Sequence, residues 1–289
     1  MSVDVEEWFH IPTGLDNILL FDQWDQATRR VQSVLPRMWD IFEKNNIKAT
    51  FFFLGWVAEK YPTLVNETLG RGHEIATHGY AHKLIYNQTP VEFKNDIYKA
   101  TSILESITGK KVIGYRAPGF SITPETEWAF EILAEHGIIY DSSIFPGKRF
   151  LGHYDKFNME PTVVHTSDKE IIEFPQTVVD FGIYRLSCFG GGYFRLFPKS
   201  VFLKMAGIIK RTGRPLILYI HPRDIDTDQP QISFPFLKKF RHYINISKTE
   251  QKLSDIAHRF DFKSFEMIVS DVNFLEKLKH STSLKNALP

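Results

Sequence analysis

Apolar positions in the first half of the chain follow two alternating rhythms. Short strand-like runs occupy residues 2–5, 49–54, 73–76, 112–115 and 138–140. Between them lie longer stretches in which apolar residues recur every three or four positions. The first rhythm predicts short strands inside a parallel sheet, and the second predicts amphipathic helices. Residues 24–46 carry Val31, Val34, Leu35, Met38, Trp39, Ile41 and Phe42 at helical spacing. A second helix is expected over 56–71, stopped by Gly72. A third opens on the capping-box pattern Thr89-Pro90-Val91-Glu92 and runs to about 108. A fourth begins at Thr123-Pro124-Glu125 and ends near Gly137. Strict strand–helix alternation calls for parallel strands with helices outside, and barrel closure is the expected outcome.

The second half is less regular. Residues 170–179 and 183–189 read as strands with no helix between them, 199–212 as a helix, 215–220 as a strand and 249–260 as a helix. No linker, repeat or low-complexity tract breaks the chain, so residues 1–289 are expected to form one catalytic domain. An irregular insertion over the site is expected within 145–195, above all at 145–168. Residues 223–289 are expected to be a C-terminal extension whose tail frays after Ser281.

Composition changes this picture little. Of 289 residues, 43% are apolar and 24% charged, an ordinary globular balance. The formal net charge of +1 argues against a nucleic-acid footprint or a polybasic membrane patch. Among the aromatics are 25 Phe, most of them in apolar runs that read as core. Cys188 stands alone, so no intramolecular disulfide can form and nothing points to an oxidising compartment. Met1-Ser2-Val3-Asp4 reads as neither a signal nor a transit peptide. No apolar run reaches the roughly 18–20 residues that span a bilayer. The expectation is a cytoplasmic protein with no integral membrane segment.

Candidate chemistry collects just after the strands, where parallel α/β folds build their sites. Asp4 and Glu6 lie two apart on a strand and project to one face, while Glu7 projects to the other. Two carboxylates so placed suit a shared cation, or else a solvated strand end. His78-Gly79-Tyr80-Ala81-His82 presents two imidazoles at a spacing that can converge on one metal. His73, at its strand's start, reads as structural. Arg116-Ala117-Pro118-Gly119-Phe120 can pair an arginine with a carboxylate and present a backbone N–H, or can be a plain turn. Asp141 follows the next strand and can act in the site or cap a turn. His221, before Pro222, suits a general acid or a satisfied structural histidine. Each residue has a bland alternative, but seven at successive strand ends favour one active site.

These segments resemble the five motifs of the polysaccharide deacetylases of carbohydrate esterase family four. They stand here as Ser2-Val3-Asp4-Val5-Glu6, His78-Gly79-Tyr80-Ala81-His82, Arg116-Ala117-Pro118-Gly119-Phe120, Tyr140-Asp141-Ser142-Ser143 and Leu218-Tyr219-Ile220-His221-Pro222. Thr50-Phe51-Phe52-Phe53-Leu54-Gly55-Trp56, Gly190-Gly191-Gly192-Tyr193-Phe194-Arg195 and Phe240-Arg241-His242-Tyr243 look typical of the bacterial subgroup linked to exopolysaccharide synthesis. The resemblance implies a distorted (β/α)₇ barrel, Asp4 as general base, Arg116 holding it, His78 and His82 as metal ligands, His221 as general acid and Asp141 as its support. The common motif has two adjacent aspartates, the second a ligand. Here Val5 takes that place, and strand geometry passes the ligand role to Glu6.

The implied function is hydrolysis of the N-acetyl group of an amino sugar in a poly- or oligosaccharide. The implied cofactor is a divalent metal, with zinc expected and cobalt, manganese, nickel or iron compatible with the same donors. A backbone N–H near Gly119 would hold the oxyanion. Phe120, Trp8 and Tyr193 are candidates to contact substrate. Phe9 and His10 are candidates to line the cleft, and Gly190–Gly192 to allow close backbone approach. Rival readings are an amidohydrolase of the same scaffold acting on a small non-sugar amide without metal, a non-catalytic sugar-binding homologue, and a phosphate-sugar isomerase. The absence of a late Gly-rich phosphate loop after the final strands weakens the last. The oligomeric state is left open.

Overall fold

The computed structural model describes residues 1–12, 18–148 and 152–278. The tail after Ser281 lies outside the described residues. The strands are β1 (Ser2–Val5), β2 (Thr50–Phe53), β3 (Glu74–Thr77), β4 (Gly114–Tyr115), β5 (Tyr140–Asp141), β6 (Thr162–His165), β7 (Glu170–Glu173), β8 (Val179–Asp180), β9 (Arg185–Leu186) and β10 (Tyr219–Ile220). The helices are α1 (Val31–Lys44), α2 (Gly55–Lys60), α3 (Pro62–Gly70), α4 (Pro90–Thr108), α5 (Trp128–Glu135), α6 (Gly191–Leu196), α7 (Lys199–Thr212), α8 (Phe236–Tyr243), α9 (Ile246–Ala257) and α10 (Phe265–Val269). No helix among the described residues is long and apolar enough to cross a membrane.

One sheet carries the fold, in the order β10-β1-β2-β3-β4-β5-β7-β6. Its first seven members pair in parallel, and β6 joins β7 antiparallel at the edge. β1, β2 and β3 are buried on both faces, as strands covered by helices outside and a filled interior must be. The sheet curls until the chain after β7 meets the chain before β10, where Ile217 N donates to Thr177 Oγ1 at 2.8 Å. This is the expected distorted (β/α)₇ barrel.

The end of the barrel where strands begin is plugged. Phe265 of α10 packs with Phe52, Tyr140 and Phe174. Its backbone N–H donates to Thr50 Oγ1 at 2.8 Å, and the next N–H reaches Glu74 Oε2 at 2.8 Å. Polar chemistry is left to the opposite end, where the strands finish.

Several boundaries differ from the sequence pattern for identifiable reasons. The helix expected over 56–71 is two helices, broken at Tyr61, because the residue before Pro62 is pushed out of the α region. The helix expected from residue 24 starts at Val31, preceded by a 3₁₀ turn at Phe21–Gln26. Its start is fixed from β1's end, because the Glu7 carboxylate accepts the Arg30 and Val31 N–H groups at 2.8 and 3.2 Å. α4 runs as expected, with the Thr89–Glu92 capping box formed and Gly109 left-handed at φ 65°. The 145–195 segment is not irregular throughout. It supplies β6, β7, the β8–β9 hairpin and the start of α6. Beyond residue 223, α8, α9 and α10 are helices that the apolar pattern showed only in part.

Candidate active site

β1 delivers the first two groups. Val3 and Val5 enter the core, and the alternation turns Asp4 and Glu6 together toward the strand-end face. Glu7 points away and serves α1, as described above. Burial pushes its pKa up to about 7.

The loop after β3 brings the imidazoles to Glu6. His82 Nε2 lies 2.7 Å from Glu6 Oε2, and His78 Nε2 lies 3.9 Å from the same oxygen. His78 Nδ1 is 2.7 Å from the Arg116 carbonyl, which places the ring hydrogen there and leaves Nε2 as a bare donor facing Glu6. Burial pushes the His78 pKa down to about 4. Burial also opposes charge on Glu6, but His82, His221 and Arg223 outweigh it and hold its carboxyl well below the usual range.

The loop between the histidines is held by a residue the sequence reading missed. Asp96, half-buried on α4, accepts the Tyr80 N–H at 2.7 Å and the Ala81 N–H at 3.0 Å. A Cβ at Gly79, where φ is 74°, would meet Asp96 Oδ2 at 2.7 Å, so this close approach needs glycine.

Arg116 leaves β4 into the barrel interior, fully buried. Its Nη1 donates to Asp4 Oδ1 at 2.7 Å and to Ser2 Oγ at 2.8 Å, and its Nε and Nη2 reach Ser142 O and Oγ at 3.2 and 3.1 Å. The pairing of Arg116 with Asp4 is therefore present. Pro118–Phe120 forms a tight turn with Gly119 and Phe120 both left-handed, at φ 62° and 55°.

His221 follows β10. Its Nε2 stands 3.7 Å from both Asp4 Oδ2 and Glu6 Oε1. Its Nδ1 lies 2.9 Å from Asp224 Oδ2, and its backbone N–H donates to the same oxygen at 2.9 Å. Burial and the neighbouring Arg223 push the His221 pKa down to about 3, so the resting imidazole is neutral. Asp224 is ion-paired with Arg195 of α6 inside the protein. The expected support from Asp141 is not observed. Asp141 instead accepts from Ser143 N and Oγ at 3.1 and 2.5 Å, and Ser143 Oγ accepts the Ala117 N–H at 2.7 Å. Sheet order explains the difference. β5 stands five places from β10, whereas Asp224 sits one turn after His221.

Other expected contacts are packing. Trp8 is buried, with Nε1 donating to Thr28 O at 2.8 Å. Phe120 is buried against Tyr219, and its N–H is taken by Ala117 O at 3.0 Å. Phe9 and His10 are fully buried, and the His10 ring lies between Trp24 and His82. Tyr193 is half-exposed and stacks on Phe197. The glycines before it do meet another chain segment. A Cβ at Gly190 would strike the Tyr219 ring, and Gly191 lies against the His221 ring.

Glu6, His78 and His82 can together receive a metal ion. Each offers one ligand atom, all are buried, and these atoms lie within 4.8 Å of one another. Donors about 2.1 Å from a tetrahedral zinc stand about 3.4 Å apart, a spacing that the 2.7 and 3.9 Å separations bracket. The donor set, two imidazoles and a carboxylate, matches catalytic sites that keep an open position.

Comparison with known proteins gives two adjoining matches. Residues 17–138 match the Polysaccharide deacetylase family, and residues 142–270 match the Domain of unknown function (DUF3473). The peptidoglycan deacetylase of Helicobacter pylori is 30% identical over 110 residues, 38% of this chain and 36% of that protein. A peptidoglycan-N-acetylglucosamine deacetylase of Bacillus cereus is 35% identical over 97 residues, 33% of this chain and 35% of that protein. The alignment thus spans about a third of the length of these curated relatives. A crystal structure described as a polysaccharide deacetylase from Mycobacterium smegmatis superposes with a TM-score of 0.58 at 18% identity, covering 84% of this chain and 77% of that one, a likeness of fold.

Proposed function

We propose that this chain, whose residues 17–138 match the Polysaccharide deacetylase family, hydrolyses the N-acetyl group of an amino sugar within a poly- or oligosaccharide, releasing acetate. The observation that carries the proposal is the convergence of Asp4, Glu6, His78, His82 and His221 at one barrel end, with Arg116 against Asp4 and Asp224 against His221. Glu6, His78 and His82 would hold a divalent metal, zinc first by donor set. Bound there, the metal would supply Lewis-acid polarisation of the acetyl carbonyl and acidify a water.

The remaining roles belong to the chain itself. Arg116 holds and aims Asp4, so that Asp4 accepts a proton from the attacking water. The water oxygen joins the acetyl carbon, and the left-handed turn at Gly119 offers its backbone N–H to the oxyanion. The neutral His221 presents Nε2 3.7 Å from Asp4 Oδ2, close enough to receive the proton that Asp4 has taken. Asp224 stabilises the imidazolium that results. His221 then gives this proton to the departing nitrogen as the C–N bond breaks, yielding acetate and a free amine.

The whole chain acts as one catalytic unit in this reading. Asp4 and Glu6 precede the first matched segment, and His221, Asp224 and Arg195 lie in the second. The exopolysaccharide-like phrases of the sequence support such a polymer as substrate. Acetate release from N-acetylglucosamine oligomers, with and without chelator, tests the function. Loss of release in Asp4→Asn and His221→Ala is expected. Undiminished release in both variants overturns the assignment.

A further inference from the structure

α8 is inside out. Its sequence is Phe236-Leu237-Lys238-Lys239-Phe240-Arg241-His242-Tyr243, and the three large apolar side chains face solvent. Phe236 is 81% exposed, Leu237 74% and Phe240 48%, whereas His242 is buried. With about 100° between successive residues, Phe236, Leu237 and Phe240 fall within an arc of roughly 100°, and His242 lies on the opposite side. The side turned to the protein is therefore the polar one. α6, which packs against α8, adds the half-exposed Tyr193 and Leu196.

An exposed apolar face of this kind needs a partner, and the charges around it indicate which. Lys239 and Arg241 flank the apolar arc on its two sides, and Lys238 stands beyond. From residue 229 to residue 249 the chain has Lys238, Lys239, Arg241 and Lys248 and no acidic residue. A near-neutral chain has thus concentrated positive charge around one apolar helix face, a local feature that net charge conceals. Large apolar side chains bordered by cations are the pattern of a helix lying in the plane of a membrane surface. A protein partner would need an apolar groove ringed by acids. An anionic bilayer offers both features without specific shape.

We propose that α8 docks this protein on an anionic lipid surface, with Phe236, Leu237 and Phe240 entering the headgroup boundary and Lys239 and Arg241, on the two flanks of that arc, contacting the anionic headgroups. α8 is firmly mounted for this. Arg195 Nη2 donates to the Arg241 and His242 carbonyls at 3.2 and 2.9 Å, and the same guanidinium pairs with Asp224, which orients His221. Docking would therefore place the His221 side of the barrel mouth close to the membrane surface.

Co-sedimentation of the full chain with phosphatidylglycerol-containing vesicles and with pure phosphatidylcholine vesicles tests the proposal. Partition onto the anionic vesicles alone, weakened by salt, is expected. Lys239→Glu/Arg241→Glu and, separately, Phe236→Ser/Leu237→Ser/Phe240→Ser should each weaken it at least about tenfold. The altered side chains are exposed, so thermal melting and acetate release from a soluble oligomer should be unchanged. If the triple serine variant melts early, the charge-reversal pair alone decides. No partition, equal partition onto both vesicles, or a dimer that these substitutions dissociate would overturn the proposal, the last by making a second copy the occupant.

Discussion

Asp224 grips His221 at two points with one oxygen. Oδ2 lies 2.9 Å from Nδ1 and accepts the histidine's own backbone N–H at 2.9 Å. Arg195 pairs with the other carboxylate oxygen and fixes the group's orientation. Such a carboxylate sets the tautomer and supports the imidazolium form. Asp224→Asn is expected to lower kcat on the order of 10²-fold with metal content unchanged. Asp141→Asn should cost less than about tenfold, since Asp141 reaches the site through Ser143 and the Ala117 turn rather than through His221. Steady-state kinetics of both variants checks the order. A fully active Asp224→Asn enzyme would remove Asp224 from the mechanism.

Asp96 makes a separate prediction. It touches no proposed ligand, yet it accepts both N–H groups in the middle of the His78–His82 loop. Asp96→Ala should loosen the loop and weaken metal affinity about 10- to 100-fold, as loss of outer-shell support commonly does. Activity at saturating metal should return toward the parent value. Calorimetric titration of metal into both proteins measures the difference, and equal affinities would reduce Asp96 to a structural carboxylate.

These two residues also mark where the sequence stops being legible. The first half of the barrel could be read from its rhythm, because short parallel strands and amphipathic helices leave different periods. The site's position followed from polar residues after strand ends, and the facing of Asp4 and Glu6 from the period of a strand. Asp96 could not be read, since an acidic residue amid α4's polar positions looks like an ordinary solvated one. Arg195 is fixed by the tertiary approach of α6 to β10, and its only sequence signal was the glycine run at 190–192. Asp224 did leave a trace. Pro222 after His221 signals a tight turn, and a carboxylate three residues on can return to its first residue. Assigning that role to Asp141 followed motif order and ignored sheet order. The helix break at Tyr61 was equally readable, from Pro62.

Arg116 and Asp4 form a buried pair at 2.7 Å, with Arg116 fully enclosed. Removing one partner leaves the other charge unpaired in a medium that solvates it poorly. Arg116→Met is expected to destabilise the protein by about 3–5 kcal/mol. Arg116→Met/Asp4→Asn should recover part of that loss while remaining inactive. Urea unfolding of the three proteins decides the point. A double variant no more stable than Arg116→Met would locate the cost in lost packing against Phe52, which the guanidinium overlies at 4.2 Å.

Glu173 and Asp141 share a fully buried site at the ends of β7 and β5. Glu173 Oε1 accepts the Ile144 N–H at 2.9 Å, while Oε2 is enclosed with no donor directed at it. Burial raises both pKa values, and the Asp141 charge drives that of Glu173 further, well above the carboxylate range. The shift favours the protonated form of Glu173, which would place a hydrogen between the two carboxyls. An acid with a raised folded pKa contributes stability that is complete below its unfolded pKa, about 4.3, and is lost as pH rises through the folded value. Wild-type stability should thus fall as pH rises above about 4.3 toward the folded value. Glu173→Gln keeps a donor toward Asp141 and cannot ionise, so its thermal midpoint should decline less as pH rises from about 4.3. Melting curves of both proteins across that range test this. Parallel declines would mean that no shared proton joins the two carboxyls. A flatter decline in the variant, with acetate release retained, would assign the pH-dependent loss to the Glu173 proton facing Asp141.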